Sequence, residues 1–175
     1  MKLILIRHAK AEERKKSDSV IDDFRRELTR AGIRRIERIS PILHRLIGPI
    51  DCLITSPLKR ALQTATLLHY QSWKSAKWFE LESLAPDTNP KLFIQWLAKL
   101  ALLKKKGDAT IVVVGHEPHL SRLVGLLTTG KATATVVLQK SAMCVLEFKM
   151  PGMGDGKIIG LFQPRDLRRI SHPKA

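Results

Sequence analysis

The chain has 175 residues, 44% hydrophobic and 27% charged. That suits one globular domain, 1–175, burying roughly 70% of its unfolded surface and leaving room for a cleft. Its 31 Lys+Arg against 16 Asp+Glu give a net charge of +15, a field that attracts nucleic acid, acidic membranes, phosphorylated substrates or acidic proteins.

Aromatics are only 5% and do not interleave with the basic clusters, such as Arg14–Lys16 and Lys104–Lys106. The stacking platforms of a single-strand nucleic-acid binder are therefore missing. No apolar run approaches the roughly 20 residues of a membrane span, and no signal peptide is evident. The expected compartment is the cytoplasm. Cys52 and Cys144 sit in apolar runs and read as small core residues.

Leu3–Ile6 is continuously apolar and predicts a strand buried on both faces. Residues 9–28 are polar and read as an ordered loop or short helix. Thr29 is the expected N-cap of a helix carrying Ile33, Ile36, Ile39 and Leu43 on one face, kinked or broken at Pro41 and ended by Gly48-Pro49. Asp51–Thr55 predicts a second strand, and Pro57 opens a helix over 58–69 with Leu62, Ala65, Thr66 and His69 along it. Trp78–Leu81 suggests a short strand. Asn89-Pro90 starts a helix bearing Leu92, Phe93, Trp96, Leu97 and Leu100, closed by Gly107. Thr110–Val114, TIVVV, is the strongest strand signal, and GHEPH leads from it into a helix over Leu120–Leu127. After Gly130 the alternation predicts an antiparallel pair, Thr135–Leu138 with Ala142–Phe148. A Gly-rich turn then leads to a last strand, Ile158–Phe162. The fold class is α/β: three layers, α/β/α, with a mostly parallel central sheet and late antiparallel strands.

Three strand ends carry chemistry. They read IRHAK, ITSPLKR and VVVGHEP, and deliver Arg7, His8, Arg60 and His116 to the edge where parallel sheets place ligands. Arg60 lies near a helix N-terminus, which also favours an anion. A phosphoryl group suits the cluster, because guanidinium forks match its oxygens. At about 1.5–3 kcal/mol per charge-assisted bond, two arginines and an imidazolium supply on the order of 5–9 kcal/mol, only part of it specific to the transition state. The adjacent arginines are expected to hold His8 neutral as nucleophile, while His116 serves best charged, as a donor. No carboxylate cluster for a metal is visible, and no cofactor is implied. His116 and His119 have metal-pair spacing, but Pro118 lies between them and a third ligand is lacking.

IRHAK resembles the RH(G/A) signature of the histidine phosphatase superfamily, also called phosphoglycerate mutase-like. TSPLKRALQTA is similar to its S-P-x-x-R-A-x-Q-T-A block, and VVVGHEP to its second histidine segment. The short chain, SDS…RELTRAG and the late SA-x-x-x-L-E-F strand point to the SixA-type phosphohistidine phosphatases. Ala9 stands where most relatives have Gly. The resemblance implies a phosphoglycerate mutase-like fold, a metal-independent phosphatase and transient phosphorylation of His8. It also implies a phosphate pocket of Arg7, His8, Arg60 and His116.

Larger relatives use an acid to protonate the leaving group. Here FELESLAPDTNP offers Glu80, Glu82 and Asp87, with Glu82 and Asp87 the candidates carried forward; none stands in the mutase pattern. Absence of a strong acid favours a labile P–N bond over an ester. The expected partner is thus a phosphohistidine-bearing protein, such as a histidine phosphotransfer domain, steered in by the positive charge. The alternatives are a small-molecule phosphomonoesterase or mutase-like enzyme, and a non-catalytic anion or nucleic-acid binding module. Ser56 and Lys10 are further phosphate-contact candidates, each with a plain alternative: Ser56 as a helix cap, Lys10 as a solvated loop residue. Glu117 either orients a site side chain or is an ordinary helix-entry carboxylate. His44, His69 and His172 read as surface or helix-face residues.

Overall fold

The computed structural model describes residues 1–13, 19–103, 109–134 and 136–171. Arg14–Lys16, Lys104–Lys106, Gly107, Thr135 and His172 lie outside the described residues.

The strands are β1 (Lys2–Arg7), β2 (Cys52–Thr55), β3 (Lys77–Glu80), β4 (Thr110–Gly115), β5 (Met143–Glu147) and β6 (Lys157–Phe162). They form one six-stranded sheet in the order β3-β2-β4-β1-β5-β6. The first four neighbours pair in parallel, whereas β5 runs antiparallel to both β1 and β6. The helices are α1 (Val20–Arg25), α2 (Arg30–Ile47), α3 (Lys59–Ser72), α4 (Pro90–Leu103), α5 (His119–Thr129) and α6 (Pro164–Ser171).

Strand periodicity sorts the core into two layers. Leu3, Leu5, Cys52, Ile54, Ile111 and Val113 pack with Phe93 and Leu97 of α4 and Leu123 and Leu127 of α5. Ile4, Ile6, Leu53, Val112 and Val114 face the other way, onto Ile36 and Leu43 of α2, Ala61 and Leu68 of α3 and Leu167 of α6. Helices thus cover both faces, the three-layer arrangement expected, and both cysteines are free and buried within it.

Two expectations are refined and one needs correction. Pro41 does not end its helix: α2 runs through it to Ile47. An interior proline costs about 3 kcal/mol. Ile36 and Ile39 before it and Ile42 and Leu43 after it are buried, at about 1.5–3 kcal/mol each when full, and these offset it. In α3 the buried positions are Arg60, Ala61, Thr64, Ala65 and Leu68; Thr66 is exposed and Leu62 only half-buried. Residues 136–138 form no strand, and β5 pairs with β1 instead. The backbone of that segment is held by side chains. Arg7 donates to the Leu138 carbonyl, Leu138 N–H donates to Glu117, and Gln163 brackets Val137 and Gln139. With those groups satisfied, no ladder is needed.

Candidate active site

Register builds the site before any loop does. Arg7 of β1 pairs with Gly115 of β4, so the next residue on each strand, His8 and His116, leaves the sheet side by side. Their ring centroids are 5.0 Å apart, tilted by 51°. Thr55 of β2 is level with Val114, which brings Ser56 alongside. Its hydroxyl hydrogen bonds His116 Nε2 at 2.8 Å.

His8 is fixed on several sides. Its N–H donates to the Gly115 carbonyl, and Nδ1 donates to the Ala9 carbonyl at 2.7 Å. That assigns the ring proton to Nδ1 and leaves the Nε2 lone pair open. Ala9 N–H donates to Thr64 of α3, whose hydroxyl donates to the Arg60 carbonyl. Lys10 contributes its backbone: its carbonyl accepts from Thr29 N–H and Oγ1 at the start of α2. Gly32 permits this approach, because a side chain there would collide with the Lys10 carbonyl. The Lys10 side chain is exposed.

The arginines reach in from two sides. Arg7 Nη1 donates to the Leu138 carbonyl at 2.8 Å. Arg60, 4% exposed, donates to the Asp23 carbonyl at 2.8 Å and meets the Asp23 carboxylate at 3.2 Å. Asp23 also pairs with Arg26 at 2.9 Å. Behind them Ser141, in the left-handed region at φ 71°, donates its N–H to the carbonyls of Arg7 and His8.

Both imidazoles are held neutral. His8 is pushed down to about 3, chiefly by burial, against the pull of the Ala9 carbonyl and with help from Arg60, Arg7 and Lys140. His116 falls to about 2, again by burial first, then by His8 and Arg60. The arginines are thus the second cause of a neutral His8, not the first, and the protein's own charges do not make His116 an imidazolium. Buried His119 falls to about 4, chiefly by burial. Arg7 Nε and His116 Nδ1 are buried with no hydrogen-bond partner among the described residues. Buried polar groups without partners are uncommon in folded proteins and gather at functional sites among other places.

The structure therefore brings together Arg7, His8, Arg60, His116 and Ser56. Among the described residues, the proposed acids are not bonded to that cluster. Glu82, in a short 3-10 turn, and Asp87 are exposed, and among the described residues neither is hydrogen-bonded to the cluster. Glu80 is exposed on the edge strand. Nor do three His, Cys, Asp or Glu side chains gather as a metal-holding group among the described residues. Asp23, Thr64, Leu138 and Ser141 were not singled out from the sequence. Thr64 lies in the motif block, but backbone-mediated roles like that of Leu138 leave no residue-type signature.

A family model described as the histidine phosphatase superfamily (branch 1) matches residues 3–82, which include Arg7, His8, Ser56 and Arg60. That match makes the N-terminal part of the chain similar to the histidine phosphatase superfamily. An uncharacterized protein of Picosynechococcus sp. is 29% identical over 82% of this chain and 82% of its own length. A solved structure of the protein histidine phosphatase SixA complexed with tungstate superposes with a TM-score of 0.81 at 23% identity, covering 95% of this chain and 99% of that one. A phosphoserine phosphatase from Entamoeba histolytica, in complex with 3-phosphoglyceric acid, gives 0.61 at 22% identity, covering 95% and 98%. These likenesses establish the phosphoglycerate mutase-like fold.

Proposed function

We propose that the protein is a metal-independent phosphatase that forms a phosphohistidine on His8 and prefers phosphohistidine on a partner protein. The observation that carries this is the Nδ1 bond of His8 to the Ala9 carbonyl, which leaves Nε2 as a nucleophile beside His116 and between two arginines.

Nε2 attacks phosphorus, the bond from phosphorus to the substrate's nitrogen breaks, and the imidazole leaves with its other nitrogen protonated. Water then attacks the phosphoryl group. The His8–phosphorus bond breaks, phosphate leaves, and the water proton passes to phosphate or solvent. Arg7 and Arg60 hold the equatorial oxygens. An arriving dianion reverses the balance at His116, because opposite charge favours imidazolium, and His116 then donates to the oxygens with Ser56.

The exposed positions of Glu82 and Asp87 support a substrate that needs no strong acid, as does the likeness to SixA. No helix among the described residues is long and apolar enough to cross a membrane, in keeping with the proposed cytoplasmic setting. The small-molecule reading keeps one support, the likeness to the phosphoserine phosphatase. Phosphate release from a phosphorylated histidine phosphotransfer protein, 3-phosphoglycerate and a sugar phosphate separates the two. Phosphohistidine is expected to be far the fastest, and the reverse order overturns the reading. Rapid quench with ³²P-labelled substrate is expected to trap acid-labile, base-stable label on His8.

A further inference from the structure

We propose that Glu117 is a positioning residue for Arg7, acting through the backbone of Leu138; this rests on the phosphate-pocket reading above. Glu117 follows His116, and its carboxylate is fully engaged. One oxygen accepts from Ser121 N–H at 3.2 Å and from the Ser121 hydroxyl, both at the start of α5. The other accepts from Leu138 N–H at 2.9 Å. The Leu138 carbonyl in turn receives Arg7 Nη1. A chain of three hydrogen bonds therefore runs from the first turn of α5 to the guanidinium.

The fastening matters because residues 136–139 belong to no strand. Leu138 is anchored below by its fully buried side chain. Gly125 of α5 lets the preceding segment come close, since a side chain there would strike the carbonyls of Thr133 and Lys131. Gln163 secures the neighbours, Val137 and Gln139, but Glu117 alone among the described residues takes the Leu138 N–H. Glu117 also supplies a negative charge that partly opposes the desolvation of Arg7. Without it, the carbonyl that aims Arg7 loses its inner tether and the guanidinium loses its nearest compensating charge.

The test is a double-mutant cycle on the intact protein, with inorganic phosphate as the probe and calorimetry as the readout. Arg7→Ala is expected to weaken phosphate binding by about 10- to 100-fold. Glu117→Ala is expected to weaken it about fivefold to tenfold, and to add nothing when Arg7 is already absent. Glu117→Gln keeps an acceptor for Leu138 N–H but drops the charge. Its loss is expected to be about two- to threefold, likewise confined to protein that retains Arg7. If Glu117→Ala does not fold, this variant carries the cycle. An unchanged affinity in Arg7→Ala overturns the pocket reading and this inference with it. A normal Arg7 effect overturns the positioning role alone if the Glu117 losses are absent or persist in full without Arg7.

Discussion

The two arginines of the pocket hang from different kinds of structure. Arg7 ends a strand buried on both faces, and its Nη1 rests on a carbonyl tied to α5 and Gln163. Arg60 sits on a core helix, but its guanidinium bonds Asp23 of α1. That helix has six residues and buries none, leaving Val20, Ile21 and Phe24 exposed. Aim is fixed by whatever holds the far side of the guanidinium. For Arg7 the hold includes a segment anchored in the core; for Arg60 it includes a surface element with little packing of its own.

The harshest test removes what both arms serve. His8→Ala is expected to lower turnover by on the order of 10⁴-fold or more while phosphate still binds, as measured by single-turnover hydrolysis and calorimetry. Undiminished turnover would mean that neither arginine faces the reacting group. Acid probes the burial both arms share. His8, His116 and His119 have folded values of about 3, 2 and 4, below the unfolded value near 6.5. As pH falls from 6.5, the unfolded chain takes up protons that the native state refuses. Stability therefore drops, by up to about 1.4 kcal/mol per pH unit for each imidazole, until the folded values are reached. Denaturant titrations at pH 7 and pH 5 check this, and saturating phosphate is expected to flatten the slope.

Next, Arg7→Ala is expected to lower kcat/KM by about 10- to 100-fold and stability by about 1 kcal/mol, since the Leu138 carbonyl loses its donor. The smallest effect belongs to the other arm's anchor. Asp23→Ala is expected to change KM less than about fivefold and stability by about 1 kcal/mol, because Arg60 keeps its bond to the carbonyl of residue 23 and the lost carboxylate is partly open to solvent. Amide hydrogen exchange should be faster across α1 than at Leu138. Equal protection, or a large Asp23 effect, would erase the contrast between the arms.

What the sequence revealed follows the same division. The six strands, helices α2 to α5 and the four strand-end side chains were legible because periodicity and residue type report burial and chemistry directly; α6 and the absence of a strand over 136–138 were not. The supports were not. Leu138 acts through backbone groups, Asp23 is one acid among several in a polar stretch, and α2 passes through Pro41 because its neighbours are buried. The cause of neutrality at His8 was also misjudged: adjacent arginines are visible in a sequence, while depth of burial is not.

Adjacent hydrogen-bonded strands lie about 4.8 Å apart, and the two imidazoles that continue β1 and β4 are separated by 5.0 Å. The gap between the two rings is thus gauged by peptide geometry, set by the paired strands and not by the loops that follow them.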